Sequence, residues 1–461
     1  MQRESKRNIL NKRHPARLVS SWLIALFGCL TALLPCHAQT ADSLIVSQLR
    51  QEGVSFSQGN DVKLLMSGQE KFDSLFQDIR RAQHYVYLEY FNFRNDSIAM
   101  LLFDLLAEKA QQGVEVRALF DAFGNASNNQ PLKRHHLKDL RRRGIKIYKF
   151  DPLRFPWINH VFSRDHRKIV VIDGQTAYTG GMNVADYYIK GTEQVGSWRD
   201  MHCRIKGPEV QTLEDIFNRI WQKTVKRKQG DKETKSQSDT LSNLTSPSTL
   251  HTSPSTLHTS PSTLHTPQDK SLDSLETKGC LVGIINREPR RSNRIIRTFY
   301  NSAINDAQDS IKLVNPYLTL NHRLKRNLRK AIKRGVKVEI MVSTRSDIPL
   351  TPDCMFYNVH RLMKRGAEIW MYEPGFHHTK IIMVDGRFCT VGSANLNARS
   401  LRWDYEENAV IVDHATTQQL SDMFDRDKRD SFRLTPETWN SFRTPWQKFR
   451  GWFAHLLAPF L

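Results

Sequence analysis

Two stretches of this chain repeat one another at a fixed distance, and this constrains its fold more than any other feature. Gly113-Val114-Glu115-Val116 returns as Gly335-Val336-Lys337-Val338, Arg143-Gly144-Ile145 as Arg365-Gly366-Ala367, and Asp151-Pro152 as Glu373-Pro374. Each pair is separated by the same 222 positions (335 less 113, 366 less 144, 374 less 152). A constant offset over so long a stretch argues duplication. Within each copy, amphipathic helical patterns alternate with short β-rich runs: Tyr85–Phe91, Val114–Phe120 and Lys168–Ile172 in the first, Ile311–Val314, Val336–Val342 and Lys380–Val384 in the second. That alternation predicts an α/β fold with a central sheet in each half.

Between the copies, residues 229–278 are rich in Ser, Thr, Pro, Asp and Lys and hold three tandem copies of SPSTLHT. A proline in every seven-residue unit excludes a coiled coil and points to a disordered, extended linker. His251, His258 and His265 sit in these units, and repeat duplication explains them better than metal binding. The chain therefore divides into residues 1–38, a first half over 44–228, the linker over 229–278, a second half over 279–430 and a tail over 431–461. Past residue 38 the cysteines are Cys203, Cys280, Cys354 and Cys389, with no Cys/His spacing that suits zinc. Cys203 and Cys389 lie in apolar strand-like runs and read as buried thiols.

Each half carries the same set of chemical groups. The first has His166, Lys168 and Asp173, then Gly180-Gly181-Met182-Asn183; the second has His378, Lys380 and Asp385, then Gly392-Ser393-Ala394-Asn395. Both read HxKx4D followed by GGxN or GSxN, with one spacing throughout. Residues i and i+2 of a strand share a face, so each His stands beside its Lys, and a second short strand returns Asn183 or Asn395 to them. An imidazole, a fixed cation and an amide donor are what a phosphoryl centre needs: a nucleophile or acid, and groups to hold the equatorial oxygens. No carboxylate cluster accompanies them, so no metal or other cofactor is called for. Asp173 and Asp385 each precede a glycine at a strand end, which favours a turn role over contact with the reacting phosphate.

The paired motif resembles the phospholipase D superfamily, over roughly residues 70–228 and 279–430. Its surroundings look like those of bacterial cardiolipin synthases, with Glu89-Tyr90-Phe91 and Asn315-Pro316-Tyr317 in further agreement. The resemblance implies two α/β/α sandwich halves packed as a pseudo-two-fold pair around one active site. It also implies that one His attacks the phosphodiester phosphorus to form a phosphohistidine while the other protonates the leaving alcohol and activates the incoming one. Carried over, His166 is the nucleophile and His378 the acid and base. Lys168, Lys380, Asn183 and Asn395 hold the phosphate oxygens. Asp200 and Glu406 orient the imidazoles; Glu407 is adjacent, but Glu406 matches the family's position after Asn-x-Arg-Ser. The reaction implied moves a phosphatidyl group between two phosphatidylglycerol molecules.

Two departures from the family stand out: the linker, and an N-terminus with one apolar run instead of two membrane helices. Residues 1–17 carry six basic residues against one acidic, Leu18 to Leu34 is almost wholly apolar, and Pro35-Cys36-His37-Ala38 precedes Gln39. This is the three-part pattern of a secretory signal ending at Ala38. An uncleaved anchor and lipidation at Cys29 are the other readings, and all three place the catalytic part on the periplasmic side of a bacterial inner membrane. The tail sets Trp439, Phe442, Trp446, Phe449, Trp452, Phe453 and Phe460 at helical steps among Arg443, Lys448 and Arg450. Such a stripe either lies in a lipid interface or packs on the catalytic domain.

Lysine and arginine total 68 against 47 acidic residues, a formal charge of +21, which points to anionic partners. Taken with the motif, that partner is anionic phospholipid at a membrane surface; nucleic acid is not expected, and no protein partner is inferable. A phospholipase D hydrolase using water as acceptor is the alternative, and an exported nuclease or a membrane-binding protein with a degenerate site are further ones.

Overall fold

Among the described residues, each half contributes seven strands to one continuous sheet, in one spatial order. In the first half, reading outward from the molecular centre, the strands are Ser57–Leu65, His202–Lys206, Thr176–Gly180, Ile169–Ile172, Tyr85–Tyr90, Glu115–Asp121 and Lys146–Phe150. In the second half they are Cys280–Arg287, Glu406–Val412, Phe388–Gly392, Ile381–Val384, Ser310–Val314, Lys337–Ser343 and Glu368–Tyr372. Ser57–Leu65 pairs antiparallel with Cys280–Arg287, joining the two sheets edge to edge. These are equivalent strands, and an antiparallel pair of equivalents is related by a two-fold axis, so the halves are too. Strand Ser431–Arg433 adds a fifteenth strand at the far edge of the second half. This computed structural model describes residues 40–152, 163–243 and 279–458. The N-terminal segment 1–38, the SPSTLHT repeats and Phe460 lie outside the described residues.

Connection types follow from the residue patterns. The three outer strands of each half run parallel and are joined through helices. Helix Ser97–Gln111 shows why such segments form: Asp96 caps its start by accepting from the Ala99 amide at 3.3 Å, and Ile98, Leu102, Phe103 and Leu106 recur on one buried stripe. Helices cover both faces of the sheet. One core lies under Gly68–Arg81, Ser97–Gln111 and Arg134–Arg142, and another under Ile295–Asp306, His322–Lys333 and Thr351–Met363. A third core is shared by the two halves, where Phe217 and Trp221 of helix Glu209–Asn243 meet strand residues and Leu420 and Phe424 of helix His414–Asp427. The α/β/α sandwich pair expected from the sequence is the architecture observed.

Three features differ from or refine the sequence reading. Helix Glu209–Asn243 runs well into the stretch from 229 assigned to a disordered linker. No proline interrupts it between Pro208 and Pro247, and its Lys, Glu and Gln content suits a helix. The offset between the halves drops from 222 to 212 between Pro152/Pro374 and His166/His378, so the first half carries ten more residues there, the number in segment 153–162. The tail divides its aromatic stripe. Trp439 of helix Pro436–Phe442 is 6% exposed and stacks on His360 at 4.2 Å between ring centroids. Helix Pro445–Leu456 packs Gly451 and Ala454 inward against helix Thr351–Met363, and Arg443 and Arg450 both pair with Asp353. Trp446 (65%), Phe449 (51%), Trp452 (46%), Phe453 (48%) and Leu456 (55%) are left on its open face. Cys203, Cys354 and Cys389 are buried free thiols, and Cys280 is half-buried and free.

Candidate active site

His166 and Lys168 stand on an extended segment leading into strand Ile169–Ile172, and His378 and Lys380 on the equivalent segment between strands Gly375–His377 and Ile381–Val384. The sequence reading put both pairs on strands; they lie just before them, where the backbone is free to pair across the molecule. It does so twice. The His166 amide donates to the Tyr405 carbonyl at 3.0 Å and the Tyr405 amide to Arg164 at 2.8 Å. The His378 amide donates to the Arg199 carbonyl at 2.6 Å, beside a parallel pairing of Gly375–His377 with Ser197–Arg199. Each cassette is thus stitched to the strand approach of the opposite half's acid.

The acids follow that crossing. Glu406, in the second half, lies 3.1 Å from Nδ1 of His166 in the first. Asp200, in the first half, lies 2.7 Å from Nδ1 of His378 in the second. Each acid lies downstream of one cassette in sequence and serves the other in space. Both are fully buried. Burial alone would raise Asp200, but Lys380 and His378 hold its carboxyl down at about 2. Burial likewise opposes ionisation of Glu406, yet His166 and Lys168 bring it below the usual carboxylate range. An ionised carboxylate only accepts hydrogen bonds, so each Nδ1 must carry the proton. Nε2 of each ring is left as the nitrogen with a lone pair.

The two lysines supply the positive charge. Lys168 Nζ bonds the His166 carbonyl, and Lys380 Nζ bonds the His378 carbonyl and lies 3.3 Å from His378 Nε2. Burial lowers both lysines, and the charge of Lys168 further depresses Lys380, which is held at about 8. The two cations therefore feel one another across the pseudo-two-fold axis. Burial, then Lys168, lowers His166; burial, then Lys380, brings His378 to about 4. Both imidazoles are neutral near neutral pH in this arrangement.

Asn183 and Asn395 occupy the loops that follow strands Thr176–Gly180 and Phe388–Gly392. Asn183 Oδ1 accepts from the Asn92 amide at 3.4 Å, and Oδ1 of Asn395 is buried with no protein partner. Asp173 and Asp385 are elsewhere. Asp173 accepts from the amides of Gln83, His84 and Tyr85 at 2.8 to 2.9 Å, and Asp385 from Gln308, Asp309 and Ser310 at 2.8 to 2.9 Å. Seven residues of extended chain separate each from its histidine, on the order of 20 Å. Both pin a turn at the far end of the sheet.

Several further residues surround the site that the sequence reading gave no role. Glu407 ties the halves together by accepting from Thr179 Oγ1 at 2.8 Å, the Lys168 amide at 3.2 Å and Ser393 Oγ at 3.0 Å. Burial pushes its carboxyl up to about 8, so it differs sharply from its neighbour Glu406. Lys71, fully buried, donates to the Asn183 carbonyl at 2.9 Å and holds the Gly-rich loop. Gly181 leaves room for the acid: a Cβ there would stand 2.2 Å from Asp200 Oδ1. Aromatic rings wall both imidazoles, with Phe91 5.1 Å from His166 and Trp198, Tyr317 and Phe376 within 5.3 to 5.8 Å of His378. Ser393 could have been found as the serine of GSxN; Lys71 and Trp198 left no local signal. Among the described residues no group of three or more His, Cys, Asp or Glu is placed to hold a metal ion.

Comparison with known proteins finds matches in both halves. A family model described as cardiolipin synthase, PLD-like domain, matches residues 75–221 and 300–428. A cardiolipin synthase of Oceanobacillus iheyensis is 30% identical over 418 residues, covering 91% of this chain and 79% of that protein. Cardiolipin synthase 2 of Staphylococcus epidermidis is 33% identical over 403 residues, covering 87% and 75%. The crystal structure of phosphatidylserine synthase from Haemophilus influenzae superposes with a TM-score of 0.64 at 15% identity, covering 90% of this chain and 99% of that one, a likeness of fold.

Proposed function

The chain belongs to the PLD-like cardiolipin synthase family, and from that premise we propose that it is a phosphatidyltransferase joining two phosphatidylglycerol molecules into cardiolipin and glycerol. The observation that carries this reading is the crossed pair of histidines, each held through Nδ1 by the opposite half's carboxylate. In the first step Nε2 of His166 attacks the phosphorus of a bound phosphatidylglycerol. The bond from phosphorus to the headgroup glycerol oxygen breaks, and His378 gives that oxygen its proton. Lys168, Lys380 and the two asparagine amides hold the equatorial oxygens, where charge accumulates. The bound phosphodiester anion offsets the lysine charge that depresses His378, which favours its protonated, acidic form. In the second step His378 takes a proton from the free hydroxyl of another phosphatidylglycerol. That oxygen attacks phosphorus and the bond to His166 breaks, a ping-pong route.

The reaction places the protein at a membrane surface. Helix Pro445–Leu456 supports this, since its open face carries Trp446, Phe449, Trp452, Phe453 and Leu456 with Lys448 and Arg450 on the same helix. Aromatics flanked by cations suit an anionic lipid interface. The basic and apolar pattern of residues 1–38 supports a catalytic part on the periplasmic side, with the leader cleaved or retained as an anchor. No helix among the described residues is long and apolar enough to cross a membrane.

The deciding experiment incubates the purified chain with labelled phosphatidylglycerol. Cardiolipin with glycerol supports transfer; phosphatidic acid alone makes the enzyme a hydrolase. His166→Ala and His378→Ala should each lose several orders of magnitude in turnover, as expected of groups that act as one unit. Near-normal turnover in either would remove the two-cassette site.

A further inference from the structure

Away from the catalytic centre, a polar cleft of about 660 Å³ opens between helix Ala41–Gln51 and the first turns of helices Ile295–Asp306 and His322–Lys333. Four arginines line it: Arg294, Arg297, Arg323 and Arg402. Glu52 is the one carboxylate among its lining residues, and no ion pair ties any of the four to a carboxylate among the described residues. Elsewhere this protein pairs its arginines readily, as Arg167 does with Glu89 at 2.7 Å and Arg204 with Asp78 at 2.6 Å. Arg297 is the innermost; its Nε is buried with no hydrogen-bond partner. Burial lowers its pKa, and Arg402, Arg294 and Arg323 lower it further, with no carboxylate to restore it. The remaining lining is neutral and polar, and two helix starts add partial positive charge.

Four like charges converging around a single carboxylate are costly unless a further anion joins them. Guanidinium forks with hydroxyl and amide neighbours match the oxygens of a phosphoryl group. We propose that this cleft is a second anion site, separate from the catalytic centre, that binds a phosphate-class group: the phosphodiester of a lipid or a soluble phosphate. The proposal stands whether or not the transferase reading does, because no cassette residue lines the cleft.

The test uses the full chain in a Lys168→Gln/Lys380→Gln background, which disables phosphate holding at the cassettes. Inorganic phosphate is titrated calorimetrically, and binding to vesicles of phosphatidylglycerol in phosphatidylcholine is measured by cosedimentation. Adding Arg297→Gln/Arg402→Gln should weaken binding by about tenfold or more, the scale of losing charge-assisted hydrogen bonds. Arg294→Gln/Arg323→Gln alters only exposed residues and should act in the same direction with an unchanged melting temperature. A loss confined to phosphate assigns a soluble anion; a loss in the vesicle measurement, alone or with phosphate, assigns a lipid headgroup. Binding of both probes unchanged by either arginine pair would overturn the site.

Discussion

Replacing Glu406 by Gln tests the crossed architecture most directly. Glu406 is fully buried, ionised, and 3.1 Å from Nδ1 of His166, while Ser393 also donates to it. Gln keeps the shape and removes the charge. A hydrogen bond to a charged group contributes about 1.5–3 kcal/mol, which corresponds to roughly 10- to 150-fold in rate. If the amide instead turns its NH2 toward the ring, the imidazole must expose its protonated nitrogen to phosphorus, and the loss approaches ~10⁴, as for a buried acid-to-amide change behind a catalytic histidine. The assay is rapid quench with a phosphatidyl ester of p-nitrophenol. That leaving group needs little protonation, so the burst reports attack by His166 alone. Glu406→Gln should therefore suppress the burst by between about 10- and 10⁴-fold. Asp200→Asn, which acts on His378, should spare the burst and slow turnover with phosphatidylglycerol. A normal burst in Glu406→Gln together with its loss in Asp200→Asn would exchange the roles of the two histidines. A normal burst and normal turnover in both would refute the orienting argument.

Three further outcomes follow from the same geometry. With the p-nitrophenyl ester, which needs little help from His378, the pH profile of kcat/KM should be bell-shaped: His166 loses its lone pair on protonation at acid pH, and Lys380, charged below about 8, loses its charge above it. Lys380→Arg should abolish or move the alkaline limb and leave the acid limb in place. Gly181→Ala should displace Asp200, since the new methyl would sit 2.2 Å from its Oδ1, costing about 1–3 kcal/mol in thermal stability and slowing turnover with phosphatidylglycerol more than the p-nitrophenol burst. Trp446→Ser with Trp452→Ser should weaken binding to phosphatidylglycerol vesicles by about tenfold or more, given the apolar area each ring presents, with turnover on detergent-dispersed substrate unchanged. Vesicle binding at the original strength would remove the tail from the membrane contact.

Much of the molecule was legible because its signals are local. Alternating apolar runs such as Ile169–Ile172 mark strands wherever the chain folds, and the repeated offset revealed two like halves before any coordinates. The tail was legible only as a stripe. Whether it faces lipid or protein depended on which face Asp353 and the helix over 351–363 would take, and the structure gave Trp439 to the core and Trp446 to the outside. The linker reading went too far toward disorder at its start, because composition averaged over fifty residues hid a proline-free beginning that continues a helix.

By itself the amino-acid sequence singled out the candidate groups: His166 with Lys168, His378 with Lys380, the two asparagines and, through the family resemblance, the two acids. Spacing along a chain fixes which side chains share a local face. Tertiary structure decided which acid serves which histidine, since Glu406 meets His166 and Asp200 meets His378 across the axis. It also separated Glu406 from Glu407, adjacent in sequence, one holding an imidazole and the other clasping Thr179 and Ser393. The physical reason is that each acid lies far along the chain from its histidine, 240 positions for Glu406 and 178 for Asp200. Their encounter depends on two sheets meeting edge to edge, and no short-range pattern encodes that.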